Sequence, residues 1–512
     1  MKISPIILSL LTFFLSFNSV AQNASFVYGE NTAFKNDYEE AVKLGDGNII
    51  VLRMIVKTGI SGYNYFPELL LVNGSMQTEK ETRITLTGDN PQPGFLRKVG
   101  RKIFYFYHDY KKSSKETALY GVEINQQTLG VEKTVNMGQY YSEPATGSGL
   151  PPLRQSADQS KIMLLAEGKA NNKKPQIFFA AVYSNDLTTL WKNEVTMPYS
   201  DINVGFYDFG VKNDATACMA IRNYDEGVSN AYKKMDGVIV PAYTVKMLFL
   251  NKLITTPLEI NIDLNNNFVK DARLNIDKDD NVSITGMTQK KYDGNIAGIF
   301  YSTILADNKT VSKTVFKDIP VQIIAASAEH KMASENEKDP GLHREFYLRN
   351  ISVRNNGSTD VLMEYYYTSP IQNDQFYTYG DLIVANINSA QKVTFTRIPK
   401  KQTMKNGWLF LGVATVTYND KLILLFNDNS RNGEDEQNGK TVTNFNRSVL
   451  VMAAVDANGK MTRKNVIDQK EEDYIFRPAS LSLIEGNKYI VSAALMKYIK
   501  RSMRFGVLEI TD

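Results

Sequence analysis

The residues best suited by type and spacing to do chemistry lie in the last third of the chain. Asp428, Ser430 and Asn432 carry side-chain oxygens at alternate positions, and Gly433 follows where a calcium loop makes its sharp turn. Glu434 adds a carboxylate, so these four form a candidate calcium site, and calcium is the one cofactor the sequence suggests. The pattern departs from an EF-hand. Its twelfth position is Gly439, where a bidentate glutamate belongs, and no flanking helix is evident. A polar loop between two strands explains the same residues. The acidic turn Asp277-Lys278-Asp279-Asp280-Asn281 is a weaker version of the pattern.

A second group reads as a candidate ligand site: Glu364, Arg397, Lys400 and Gln402. Glu364 sits between Met363 and Tyr365 in a strand-like run, an unusual place for a carboxylate. Arg397-Ile398-Pro399 leads into the short basic turn Lys400-Lys401-Gln402, which a solvated loop explains equally well. Aromatic clusters occur at Phe104–Tyr107, Tyr365–Tyr367 and Phe376–Tyr379. Strand interiors favour such residues, and carbohydrate stacking is the functional alternative. Trp191 and Trp408 are the only tryptophans.

Several hydrolase chemistries are poorly supplied. His108, His330 and His343 are the only histidines and Cys218 the only cysteine, so a zinc site, a Cys–His pair and an intrachain disulfide all lack material. No G-x-S-x-G elbow accompanies a histidine. With 55 acidic residues, no glycosidase carboxylate pair can be selected from sequence. No catalytic residue is assigned.

The elements that must position these residues begin with a targeting segment. Lys2 precedes an apolar run from Ile6 to Phe17, about 18 Å long as a helix against about 30 Å of bilayer core. Small residues at Ser19 and Ala21 match a cleavage site, so residues 1–21 read as a signal peptide. No later stretch is long and apolar enough to span a membrane. The formal charge of +4 is small for this length and unclustered, which leaves nucleic acid unsupported as a partner.

Residues 22–512 read as one repeated all-β unit. A short apolar strand, a polar turn and a second apolar strand recur eight times, at a period of roughly 50 to 80 residues. The first strands include Ile49–Leu52, Ile103–Phe106, Ile162–Leu165, Ala217–Ile221, Val282–Ile284, Val361–Met363, Leu422–Leu425 and Tyr489–Val491. The second include Leu69–Val72, Leu119–Val122, Phe178–Val182, Met247–Leu250, Gly298–Tyr301, Leu382–Val384, Val449–Met452 and Phe505–Leu508. Continuous apolar runs mean strands buried on both faces. Hairpin connections mean antiparallel pairing, and Asn73-Gly74, Asn356-Gly357 and Asn458-Gly459 offer left-handed turns. Radial stacking of small sheets reconciles the two, which predicts a β-propeller of seven or eight four-stranded blades. Tandem β-sandwiches are the rival architecture.

The last copy ends one strand short, and Ser25-Phe26-Val27-Tyr28 is expected to complete it. A helical insertion is expected near 325–338, where Ala, Glu and Lys dominate before Asp339-Pro340.

Several segments resemble a family of uncharacterised, exported, propeller-like proteins of Bacteroidota. They are Glu364-Tyr365-Tyr366, Tyr379–Val384, Ile398–Gln402, Phe426–Asn429, Phe476-Arg477-Pro478 and Arg504-Phe505-Gly506. Ser156-Ala157-Asp158 before Lys161-Ile162 is similar to the strand openers of Tol-type propellers, and Asp280–Gly286 to another bacterial propeller repeat. The resemblance implies an exported propeller and supplies no activity. The expectation is a periplasmic or extracellular, non-catalytic binding or scaffold propeller whose partner is an envelope protein or glycan. The alternative is a carbohydrate- or peptide-acting enzyme with its site at the central channel.

Overall fold

The computed structural model describes residues 23–511 except 34–36, 60–61, 112, 142–151, 168–174, 201–203, 228–230, 254–255, 328–338, 373, 433–438 and 497–500. The expected signal peptide therefore lies outside the described residues.

The sixteen apolar runs become the second and third strands of eight antiparallel sheets. Blades 1 to 7 span 37–83, 91–141, 153–200, 204–262, 268–318, 346–405 and 414–468. Each middle strand is apolar on both sides because each sheet is covered on both faces. Blade 1 shares a core with blade 2 through Leu52, Leu69, Tyr105 and Val122. The pattern repeats around the ring, through Ala220, Val245 and Ile284 between blades 4 and 5 and Leu362, Val384 and Val451 between blades 6 and 7. Sheets sandwiched on both faces by different neighbours form a propeller of eight blades, not a row of two-sheet sandwiches.

Blade 8 closes the ring with both ends of the chain. Asn23–Ala33 pairs antiparallel with Arg501–Thr511, from Asn23 opposite Thr511 to Ala33 opposite Ser502, with one register shift between Tyr28 and Asn31. The expected segment Ser25–Tyr28 supplies the strand, with Phe26 opposite Leu508 and Val27 opposite Val507.

The first strands of neighbouring blades pack side by side and so surround the axis. Several carry a β-bulge followed by a polar residue that reaches the next blade. Glu40 accepts the Leu96 backbone N–H (2.7 Å) and an Arg97 bond (2.9 Å). Asp208 accepts Leu274 N–H (3.0 Å) and pairs with Arg154 (3.1 Å). Asn350 donates to Thr415 (2.8 Å). A bulge re-aims the side chain that follows it, here sideways onto the adjoining sheet. Burial pushes the Glu40 carboxyl above the usual carboxylate range, against the pull of Arg97.

The opposite ends of the blades carry five-residue hairpin turns with a left-handed fourth residue. Gln159, Leu187, Ala215, Asp280, Gly357, Gln391 and Gly459 all occupy it with φ between 59° and 80°. Asn73-Gly74 departs from expectation: the left-handed residue there is Met76 (φ 63°), because the glycine stands two places too early in the turn. The acidic turn at Asp277–Asn281 belongs to this series. Asp277 Oδ1 accepts the N–H groups of Asp279 and Asn281 (both 2.9 Å), so its carboxylate caps the turn.

The expected helical insertion meets the structure only at its start. Ala325 and Ala326 end a helix of Val321–Ala326, which begins after Pro320 and stops where Ser327 turns extended. Residues 328–338 lie outside the described set.

Gly286 shows how tight the middle strands are. A Cβ there would stand 2.5 Å from Asp271 O and 2.5 Å from a Phe300 ring carbon. Gly286→Ala is expected to cost about 1–3 kcal/mol by overpacking. The urea midpoint checks it; an unchanged value would contradict this packing.

Candidate functional site

Blade 6 extends beyond its neighbours and carries most of the residues singled out by sequence. Its second and third strands, Thr359–Ile371 and Asp374–Ile387, run on past the first strand, Phe346–Val353, as a long hairpin. The edge strand Gln402–Lys405 pairs with the start of the third, Tyr379 opposite Gln402. Inter-blade connections and this hairpin share one face of the ring.

On that face Tyr366 and Tyr379 occupy paired positions and meet edge to face at 4.8 Å. Tyr347 meets Tyr366 in the same way at 6.0 Å. The Arg349 guanidinium lies 5.3 Å from both the Tyr366 and Tyr379 rings, and Lys270 stands 5.0 Å over Tyr347. All three tyrosines are half-buried, so each ring keeps part of its surface open to solvent. Burial, with a hydrogen bond to Glu345 (2.6 Å), pushes the Tyr347 phenol up to about 12. The cluster is a fixed aromatic platform with cations packed against its rings.

Beneath it runs a buried polar network. Glu364, 2% exposed, pairs with Arg349 (2.7 Å) and with Lys400 (2.8 Å). Lys400 Nζ also donates to Gln402 Oε1 (3.1 Å), which accepts Gly412 N–H (2.8 Å) as well. The Gln402 amide donates to Asn427 O (2.8 Å). Asn427 in turn donates to Phe410 O (2.8 Å) and Phe476 O (2.9 Å), and accepts from Gln469 (2.7 Å). The chain of bonds thus joins blades 6, 7 and 8. Burial pulls the Lys400 ammonium pKa down, while Glu364 opposes it.

A small cleft lies between blades 6 and 7, lined by Asp381, Arg397, Pro399, Lys400, Lys401, Asn432, Gly439 and Arg463. About 220 Å³ of empty space lies in it, counted together with space open to solvent. Asp381 accepts from Arg397 Nε (2.7 Å) and from Lys400 N–H (3.2 Å).

Lys400 therefore touches both Glu364 and Gln402, and Arg397 joins them through Asp381. The calcium candidates divide. Asp428 faces Arg463 in an ion pair and accepts from Asn432 (3.0 Å), while the Asn432 carbonyl accepts Lys440 N–H (2.6 Å). Ser430 is exposed and Glu434 lies outside the described residues. Burial raises the Asp428 carboxyl pKa against the pull of Arg463. Among the described residues no group of three or more His, Cys, Asp and Glu side chains is arranged to hold a metal.

Sequence reading missed Arg349, Asp381, Asn427 and Arg463. Asp381 had the signal that revealed Glu364, a carboxylate in the apolar run Gly380–Val384. Arg349 and Arg463 sit in strands of mixed polarity, where a charged residue is unremarked.

No protein-family model and no curated protein matches the chain. Among solved structures it is similar to the β-propeller domain of the Trilobed protease from Pyrococcus furiosus, at 10% identity over 86% of this chain and 98% of that one (TM-score 0.36). It is also similar to the polysaccharide lyase Uly1, at 9% identity over 81% and 89% (TM-score 0.39). A protein of unknown function from Dyadobacter fermentans aligns at 10% identity over 70% and 94% (TM-score 0.31).

Proposed function

We propose that this chain is an exported, non-catalytic binding propeller whose ligand, a glycan of the cell envelope, seats on the blade 6 tyrosine platform. The observation that carries the reading is the platform itself. Tyr347, Tyr366 and Tyr379 are fixed relative to one another, partly open to solvent, and bordered by Arg349 and Lys270. Aromatic faces suit the apolar faces of sugar rings, and the adjacent charged side chains suit their hydroxyls. The acids beside it support binding over catalysis. Glu364, Asp381 and Asp428 each face an arginine or lysine, an arrangement that locks side chains in place.

Affinity electrophoresis through gels containing peptidoglycan fragments, dextran or alginate tests this. The protein is expected to be retarded by at least one glycan. The Y366A/Y379A variant is expected to lose about tenfold or more in affinity while still unfolding cooperatively, given about 1–3 kcal/mol for aromatic contacts of this kind. Mobility unaffected by every glycan would overturn the reading, and so would shortening of the retained glycan on incubation. Fractionation of the producing cells tests export: recovery of the uncleaved chain in the cytoplasm would refute it.

A further inference from the structure

We propose that the cleft between blades 6 and 7 binds a small oxyanion, the carboxylate or sulfate group of an acidic ligand. Four basic residues line it, Arg397, Lys400, Lys401 and Arg463, against one acid, Asp381. Most of that charge is balanced. Arg397 pairs with Asp381, Lys400 with Glu364, and Arg463 with Asp428. Lys401 is left over: half-buried, it has no carboxylate partner among the described residues.

The second observation is the Arg463 guanidinium. Its Nη1 donates to Pro399 O (3.1 Å) and its Nη2 to Asp428. Its Nε is buried, with no acceptor among the described residues. The side chain is only 3% exposed, so bulk water does not satisfy that N–H. A buried charged donor without an acceptor is costly and calls for a partner. An anion in the cleft supplies one, and Lys401 supplies the balancing charge. An oxyanion accepts from Arg463 Nε and from Lys401 at separate oxygens, which a spherical halide does not offer. The enclosed space is small, so a single anionic group enters, not a whole ring or nucleotide. Asn432 donates to Asp428 and accepts from Lys440, so it frames the cleft and does not compete for the anion.

The inference stands on the cleft alone and is independent of the tyrosine platform. Its test is thermal unfolding of the full chain in sodium sulfate, sodium glucuronate or sodium chloride, at constant ionic strength. Sulfate and glucuronate are expected to raise the melting temperature saturably, and chloride is not. K401Q, at the rim, is expected to weaken the apparent affinity about threefold to tenfold while folding normally. R463Q is expected to abolish the response; should it fail to fold, K401Q still decides. Y366A/Y379A is expected to keep the sulfate response whether or not it loses glycan. Sulfate stabilising with glucuronate inert identifies a free inorganic anion as the occupant; both stabilising identifies the acidic group of a larger ligand. No saturable shift, an equal shift with chloride, or a shift untouched by K401Q would overturn the proposal.

Discussion

Deleting Asn23–Ala33 is expected to destabilise the protein by on the order of 5 kcal/mol, with loss of a single cooperative unfolding transition. The strand is the outermost member of blade 8, and its removal bares the Arg501–Thr511 strand. Leu508 and Ile510, both fully buried, then lose cover, and so does the core they share with blade 7, against which Phe26 packs. Burying one aliphatic or aromatic side chain is worth about 1.5–3 kcal/mol, so three such groups account for the estimate. Two polar ties go as well. Tyr474 donates to Asn31 (2.5 Å), and Tyr28 stacks on the Arg504 guanidinium (3.2 Å), whose other face meets Tyr474 (3.5 Å). The deletion also leaves an unpaired apolar edge, a template for association with other chains. Urea denaturation with light scattering checks both effects. An unchanged midpoint and a monodisperse monomer would show that the ring does not depend on this strand. A synthetic peptide of the deleted sequence is expected to restore part of the midpoint, because the register is set by alternation along the pair.

Glu364→Ala is expected to cost about 3–5 kcal/mol at neutral pH, the range for stripping one partner from a buried ion pair. The variant strands Lys400, whose side chain is fully buried, and frees Arg349 from its anchor beside the tyrosines. The pH dependence has a definite sign. Burial already lowers the folded-state pKa of Lys400, and Glu364 is the main group opposing that shift. In the variant the folded pKa falls further below the unfolded value. Between those two values the unfolded chain binds more protons, so stability rises with pH across the window. The variant is therefore expected to recover part of its loss on moving from pH 7 to pH 9.5, relative to the wild type. A double variant, Glu364→Met with Lys400→Met, is expected to be milder than the single one, since an apolar pair leaves no charge unbalanced. Urea midpoints of the double variant and of Glu364→Met and Lys400→Met alone, at the two pH values, complete the cycle. A double variant as damaged as the sum of its parts would mean the two residues act independently.

How much of this was legible in the sequence depends on which strand is considered. The middle strands of every blade stood out because burial on both faces makes the run apolar without interruption, as in Leu422–Leu425 and Val449–Met452. The first and fourth strands did not. Thr78–Arg83 is polar along its length, and Asp37–Lys43 carries its charged Glu40 at a bulge. Such strands are held by pairing with a middle strand, not by their own composition, so the sequence pattern allows seven or eight blades.

The candidate site shows the same division. A carboxylate between Met363 and Tyr365 announces itself, because burying a charge is costly unless a partner is supplied. What the partner is does not follow from sequence. Arg349, Lys400 and Arg463 reach their acids from the first strand of blade 6, the turn before its edge strand, and the outer strand of blade 7. The loop at Asp428 is the counter-case. Its oxygens follow a calcium pattern, yet Asp428 meets Arg463 from the outer strand of blade 7, and Asn432 meets the Lys440 backbone.

The sequence by itself determined an all-β repeat of doubly buried strand pairs and closure by an early strand, since both follow from local hydrophobic pattern. Tertiary structure alone decided that there are eight blades, that three tyrosines and Arg349 share one face of blade 6, and that a basic cleft opens beside them. Those depend on which sheets become neighbours, and that is settled by packing between blades distant in sequence.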